Sequence, residues 1–91
     1  MSVLLVTYDL DNPNRNYGGL INAIKRRTFC HALGSVWFLD TTDRPADVRA
    51  ELRKELDDGD QLFVFKLRKH WAAHKKDSST EWLKSSKRTW D

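Results

Sequence analysis

A single cysteine, Cys30, stands among the 91 residues of the chain. One thiol excludes an internal disulfide and any zinc site built on a cysteine cluster. No apolar run approaches the ~20 residues that a membrane-spanning helix needs, and no membrane partner is expected. The first residues lack the basic stretch, long apolar core and small-residue cleavage site of a secretory signal, so the expected location is the cytoplasm. No glycine-rich phosphate loop is present, because Gly18-Gly19 has no Lys-Ser or Lys-Thr partner. His70 and His74 stand four apart and would share one face of a helix, but no third ligand follows at zinc spacing. Cys30 and His31 are adjacent in a strand-like stretch. They point to opposite faces and form no nucleophile–base couple.

The hydrophobic content of 40% and aromatic content of 11% exclude wholesale disorder. The length suits one domain with a thin core, to which a partner subunit would add buried surface. Net charge is +3, unevenly spread. Residues 1–65 hold eight basic and ten acidic side chains, whereas residues 66–91 hold eight basic and three acidic ones, a net +5. A basic, aromatic-containing tail suits a polyanion such as nucleic acid, or is a solvated end.

Ser2-Val3-Leu4-Leu5-Val6-Thr7-Tyr8 is short, apolar and β-branched, which predicts a central strand ending at Asp9. An acid at the end of a buried strand is either a cap for the loop Asp11-Asn12-Pro13-Asn14-Arg15-Asn16 or a functional group. Tyr17, Leu20, Ile21, Ile24 and Thr28 recur at helical spacing, with Asn16 as the N-cap. Gly18 and Gly19 weaken the first turn by roughly 1 kcal/mol each. Phe29-Cys30-His31-Ala32-Leu33 and Val36-Trp37-Phe38-Leu39 predict two strands joined by a Gly34-Ser35 bend. Asp43 or Arg44, with Pro45, opens a second helix carrying Val48, Leu52 and Leu56 on one face. Asp57-Asp58-Gly59-Asp60 ends it before the strand Gln61-Leu62-Phe63-Val64-Phe65-Lys66-Leu67.

The order βαββαβ predicts an α+β, ferredoxin-like domain over residues 1–67, with a four-stranded antiparallel sheet and both helices on one face. A basic, Trp-containing tail with a short helix follows over 68–91. Both faces of the sheet read as apolar, and two helices cover only one. An uncovered face with several large side chains is one that soluble monomers avoid. Either the tail or a second subunit must cover it, and a symmetric homodimer does so twice over. Tyr8, Trp37, Leu39, Phe63 and Phe65 are the expected interface residues. Ser78-Ser79-Thr80-Glu81 reads as a capping box for a helix over about 79–86, anchored by Trp82 and Leu83. Trp71 and Trp82 either pin the tail to the body or a protein partner, or stack on bases.

Tyr8-Asp9-Leu10 at the end of the first strand and Ser35-Val36-Trp37-Phe38 at the start of the third resemble the CRISPR-associated Cas-two family. Asn16-Tyr17 with Leu20, Asp60 before the last strand and Trp82-Leu83-Lys84 are similar to its SinR-like branch, related to the VapD-like ribonucleases. The resemblance covers about residues 1–67. Trp37 stands where that family has a smaller residue or Phe, and the tail lacks the family's obvious final strand. The resemblance implies a homodimer in which two copies of Asp9 approach across the axis and bind a divalent metal. It also implies either a metal-dependent nuclease on RNA or DNA or a non-catalytic scaffold holding duplex DNA.

Magnesium suits such a site, being a hard cation that takes one or two carboxylates and keeps several waters. Asp9 is the expected metal ligand and catalytic residue, with Asp11 and Asp40 as candidates to assist it. Lys25-Arg26-Arg27 closes the first helix, where it either complements the helix dipole or joins Arg68, Lys69, Lys75 and Lys76 in a phosphate track.

Overall fold

The computed structural model of the chain describes residues 1–12, 16–74 and 77–90. Its elements run β1 (Ser2–Asp9), α1 (Gly18–Ile24), β2 (Thr28–Leu33), β3 (Val36–Thr41), α2 (Pro45–Arg53), β4 (Gln61–Lys66) and α3 (Ser78–Lys84). The four strands form one antiparallel sheet in the order β2-β3-β1-β4. This is the ferredoxin-like α+β arrangement, with the additional C-terminal helix.

Helices α1 and α3 depart from their sequence patterns at an end, whereas α2 starts as its pattern predicts. The periodicity of α1 runs on to Thr28, but the helix stops at Ile24 and Thr28 opens β2 opposite Asp40. Seven residues led by two glycines make a marginal helix, and strand pairing claims the β-branched Thr28. Tyr17 holds the N-cap position without a side-chain capping bond, while Asn16 Oδ1 accepts from the Gly18 N–H at 2.8 Å. Arg44 occupies the N-cap of α2 with Pro45 just inside, and the Asp47 carboxylate accepts from the Arg44 N–H at 3.2 Å. At α3 the cap is Asp77, one residue earlier than the capping box suggested. Its Oδ1 accepts from the Thr80 N–H at 3.0 Å, and Asp is as good a cap as Ser.

The core lies between the helices and one sheet face. Leu4, Val6, Trp37 and Leu39 of the sheet meet Leu20, Ile24, Val48 and Leu52 of the helices, with Tyr8, Leu62 and Val64 packed against them. The register sets which side chains share this face. Val6 lies opposite both Trp37 and Val64, so strict alternation sends Trp37 and Leu39 the same way as Val64 and away from Phe63 and Phe65. The expected set of interface residues is corrected here. Trp37, 1% exposed, and Leu39 are core residues beneath the helices, and Tyr8 packs on that core. The indole N–H of Trp37 donates to the Tyr8 hydroxyl at 3.0 Å, so burial leaves it satisfied. His31 stacks on Trp37, with ring centroids 3.8 Å apart and planes 4° from parallel.

The chain's own tail covers the β2–β3 half of the other face. Trp82 stacks on Phe38 with centroids 6.3 Å apart, Leu83 is buried, and the Cys30 thiol donates to Ser79 Oγ at 3.5 Å. Beyond α3, Thr89 donates to the Asp40 carboxylate from its hydroxyl at 2.6 Å and its N–H at 3.3 Å. The Arg88 guanidinium lies 4.0 Å from the Trp82 ring and 3.7 Å from Asp40 Oδ2. Arg88 and Asp40 are both almost fully buried, at 8% and 4% side-chain exposure. The β4 edge stays open, where Phe63 and Phe65 are 58% and 53% exposed.

Candidate nucleic-acid site

Asp9 closes β1, paired with Gln61 across the sheet. It falls on the same face as Leu5 and Thr7, and so on the face that carries Phe63 and Phe65. The residue is exposed, and its carboxylate accepts no hydrogen bond from the described residues. The loops around it are held by Asp60. Asp60 Oδ1 accepts from the Asp11 N–H at 2.7 Å and the Tyr17 hydroxyl at 2.9 Å, and its Oδ2 accepts from the Asp57 N–H at 2.7 Å. One carboxylate thus ties the exit of β1, the start of α1 and the entry to β4 together beside Asp9. The only sequence sign of this role is an acid in an Asp-Asp-Gly-Asp turn. Gly59 completes the junction, since a Cβ there would collide with the Asp11 carboxylate.

Asp11 stands near Asp9, but Asp40 does not. Asp40 pairs with Val3, six residues back along β1, which places it about 20 Å away at the other end of the sheet. There it anchors the tail through Thr89 and Arg88, and it cannot assist Asp9 within one chain. Among the described residues no group of three His, Cys, Asp or Glu side chains is placed to hold a metal ion. A single chain therefore contributes one copy of the exposed Asp9 carboxylate. Two copies would offer two, which fits the coordination that magnesium accepts with water completing its shell. His70 and His74 are exposed on a segment without helical structure, so their spacing does not bring them onto one face.

The basic residues divide by partner. Arg27 is internal: Nε donates to Asp43 Oδ2 at 2.9 Å and Nη2 to Glu51 Oε1 at 2.8 Å, with its side chain 11% exposed. It bolts the end of α1 to α2 and is not free for phosphate. Arg26 also pairs with Glu51 but keeps most of its guanidinium in solvent, and the Lys25 ammonium lies 5.9 Å from the centre of the Phe29 ring. Arg68 and Lys69 are exposed and, with Lys66 and Trp90, line a hollow of about 630 Å³. Lys66 pairs with Leu4, so this hollow lies at the end of the sheet away from Asp9. Lys75 and Lys76 lie outside the described residues. Of the tail tryptophans, Trp71 lines an apolar crevice with Leu5, Phe38 and Leu83, and Trp82 lies on Phe38. Trp82 pins the tail to the body, and Trp71 borders the same crevice. Trp90, in the basic hollow, is the aromatic side chain that sequence reasoning missed.

No helix among the described residues is long and apolar enough to cross a membrane. No solved structure matches the chain. The family model for CRISPR associated protein Cas2 matches residues 1–75, which include the whole sheet, both core helices and Asp9. The chain belongs to the Cas2 family, a group of nucleic-acid-related CRISPR proteins.

Proposed function

We propose that the protein is a homodimeric nucleic-acid-binding protein that cleaves RNA or DNA with magnesium held by Asp9 of two copies. The observation that carries this reading is the shared face. Asp9, with a carboxylate unengaged by the described residues, lies on the same side of the sheet as the stacked and exposed pair Phe63 and Phe65, whose centroids are 6.1 Å apart. A second copy docked on the β4 side would bury those rings. Twofold symmetry would then bring the two Asp9 residues toward one axis. Asp11, Asp57, Asp58 and Asp60 surround that end of the sheet, where bare phosphates are repelled and a divalent cation is needed to let a strand approach. When bound, magnesium supplies charge stabilisation for phosphoryl transfer and a polarised water. The chain's own residues position the metal through Asp9, hold Asp9 through the Asp60 junction, and bind the strand through exposed cations at the opposite end.

A second reading is a non-catalytic scaffold. It is favoured by the lack, among the described residues, of a second acid or a base bonded to Asp9. The SinR-like branch and the cytoplasmic location belong to the same proposal. A protein partner held through the tail is less favoured, because Trp71 and Trp82 are turned onto the body.

The deciding experiment incubates labelled single-stranded RNA, single-stranded DNA and duplex DNA with the protein in magnesium or EDTA, beside Asp9→Ala. We expect magnesium-dependent cleavage that falls by roughly 100-fold or more in the variant, at least the size seen for loss of a metal-supporting group. Cleavage indifferent to Asp9 would reject the site. Binding without cleavage would establish the scaffold.

A further inference from the structure

We propose that the hollow between the exit of β4 and the C-terminal segment binds an unpaired nucleotide. Its base stacks on Trp90 and its phosphates are held by Lys66, Arg68 and Lys69. The proposal rests on the nucleic-acid reading above and adds where, and in what form, a strand is held.

Among the described residues the lining is three cations and one indole, without an acid. At about 630 Å³ the hollow has room for a nucleotide. Trp90 is half-buried and stacks on no other ring among the described residues, unlike Trp37 and Trp82. Its position is nevertheless fixed. The preceding Thr89 makes two hydrogen bonds to buried Asp40, and Arg88 before it is sandwiched between Asp40 and the Trp82 ring. An indole held in place opposite three phosphate-binding side chains is the arrangement that single-strand recognition uses, stacking for the base and cations for the backbone. A paired base keeps its faces inside the duplex and offers the indole nothing to stack on.

The hollow is also remote from Asp9. Lys66 and Gln61 are five residues apart on β4, opposite Leu4 and Asp9, which separates the two places by about 17 Å along the sheet. The hollow thus grips a strand away from the carboxylate. Its loss should weaken the binding of single strands.

The test is fluorescence anisotropy with labelled oligo(dT), oligo(rU) and a duplex of equal length, using the full chain. Trp90→Ala should weaken single-strand binding about tenfold or more, and change duplex binding less than about twofold. Trp90→Phe should retain most of the affinity. Lys69→Ala should lower the single-strand salt slope by about 1 and leave the duplex slope nearly unchanged, and it keeps the proposal testable if Trp90→Ala fails to fold by circular dichroism. Single-strand binding unchanged in Trp90→Ala, or duplex binding lost equally, would overturn the proposal while leaving the nucleic-acid reading intact. If the wild-type chain binds no oligonucleotide, both fall together. A parallel titration with AMP separates the two sources of a nucleotide. AMP bound as tightly as the oligonucleotides would assign the hollow to a free nucleotide and reject the strand.

Discussion

Arg27 shows how much a single side chain's meaning depends on its partners. In the sequence it stands in a Lys-Arg-Arg run and reads as one of three phosphate ligands. In the fold it bridges Asp43 and Glu51 from the end of α1, almost shielded from water. Arg27→Ala would take this cation from Asp43 and leave the mostly buried Glu51 with Arg26 alone. We expect it to destabilise the chain by about 2 kcal/mol in urea unfolding, while the salt slope of nucleic-acid binding stays unchanged. The two neighbouring cations, both exposed, are the ones whose removal should lower that slope. Nothing local distinguishes the three residues, because the partners of Arg27 lie 16 and 24 positions away. Asp9 differs, since its place at the end of an apolar run marked it directly. Asp40 closes an equally apolar run and is a tail anchor.

At the scale of elements, α3 changes the reading most. Its position follows from Asp77 and an apolar pair, Trp82 and Leu83, and sequence patterning found it to within two residues at either end. Its destination was not legible, because a seven-residue helix has no strong moment to declare which surface it seeks. The helix lies on β2 and β3, closing half of the sheet face and covering the Cys30 thiol through Ser79. Trp82 holds this arrangement by stacking on Phe38 and carrying Arg88. Trp82→Ala should lower the free energy of tail opening by roughly 2 kcal/mol, a fraction of the full cost of truncating a buried Trp because this one is half-exposed. The reaction of Cys30 with a thiol reagent should then speed at least tenfold, which a stopped-flow absorbance trace would measure. An unchanged rate would mean that the tail is held elsewhere.

For the whole molecule, the distribution of charge and of uncovered apolar surface decides what it can assemble with. The strands run from an acidic end, with Asp9, Asp11 and the Asp57–Asp60 turn, to a basic end, with Lys25, Arg26, Lys66, Arg68 and Lys69. A polyanion therefore meets the molecule in a preferred direction, and its affinity should fall steeply with salt. Among the described residues the tail leaves the β4 side of the open face for a second copy, so a dimer contact there would be narrower than sheet on full sheet. Phe63→Asp with Phe65→Asp should give a folded monomer by sedimentation velocity, and magnesium-dependent cleavage should disappear with the dimer. A wild-type chain that sediments as a monomer at about 10 μM, well above the Kd of a typical specific interface, would remove the paired-Asp9 site.

The sequence by itself determined the order of elements, the ferredoxin-like class and the buried helix residues Leu20, Ile24, Val48 and Leu52. Those depend on local periods of two and 3.6 residues, which survive in any single chain. It also marked Asp9. Only the tertiary structure decided which of two apolar sheet faces went under the helices. Alternation within a strand is local, but the register that aligns Val6 with Trp37 and Val64 joins segments some 30 and 60 residues apart. The same reason explains Asp40, Arg27 and Trp90. Each takes its role from a neighbour contributed by a distant part of the chain.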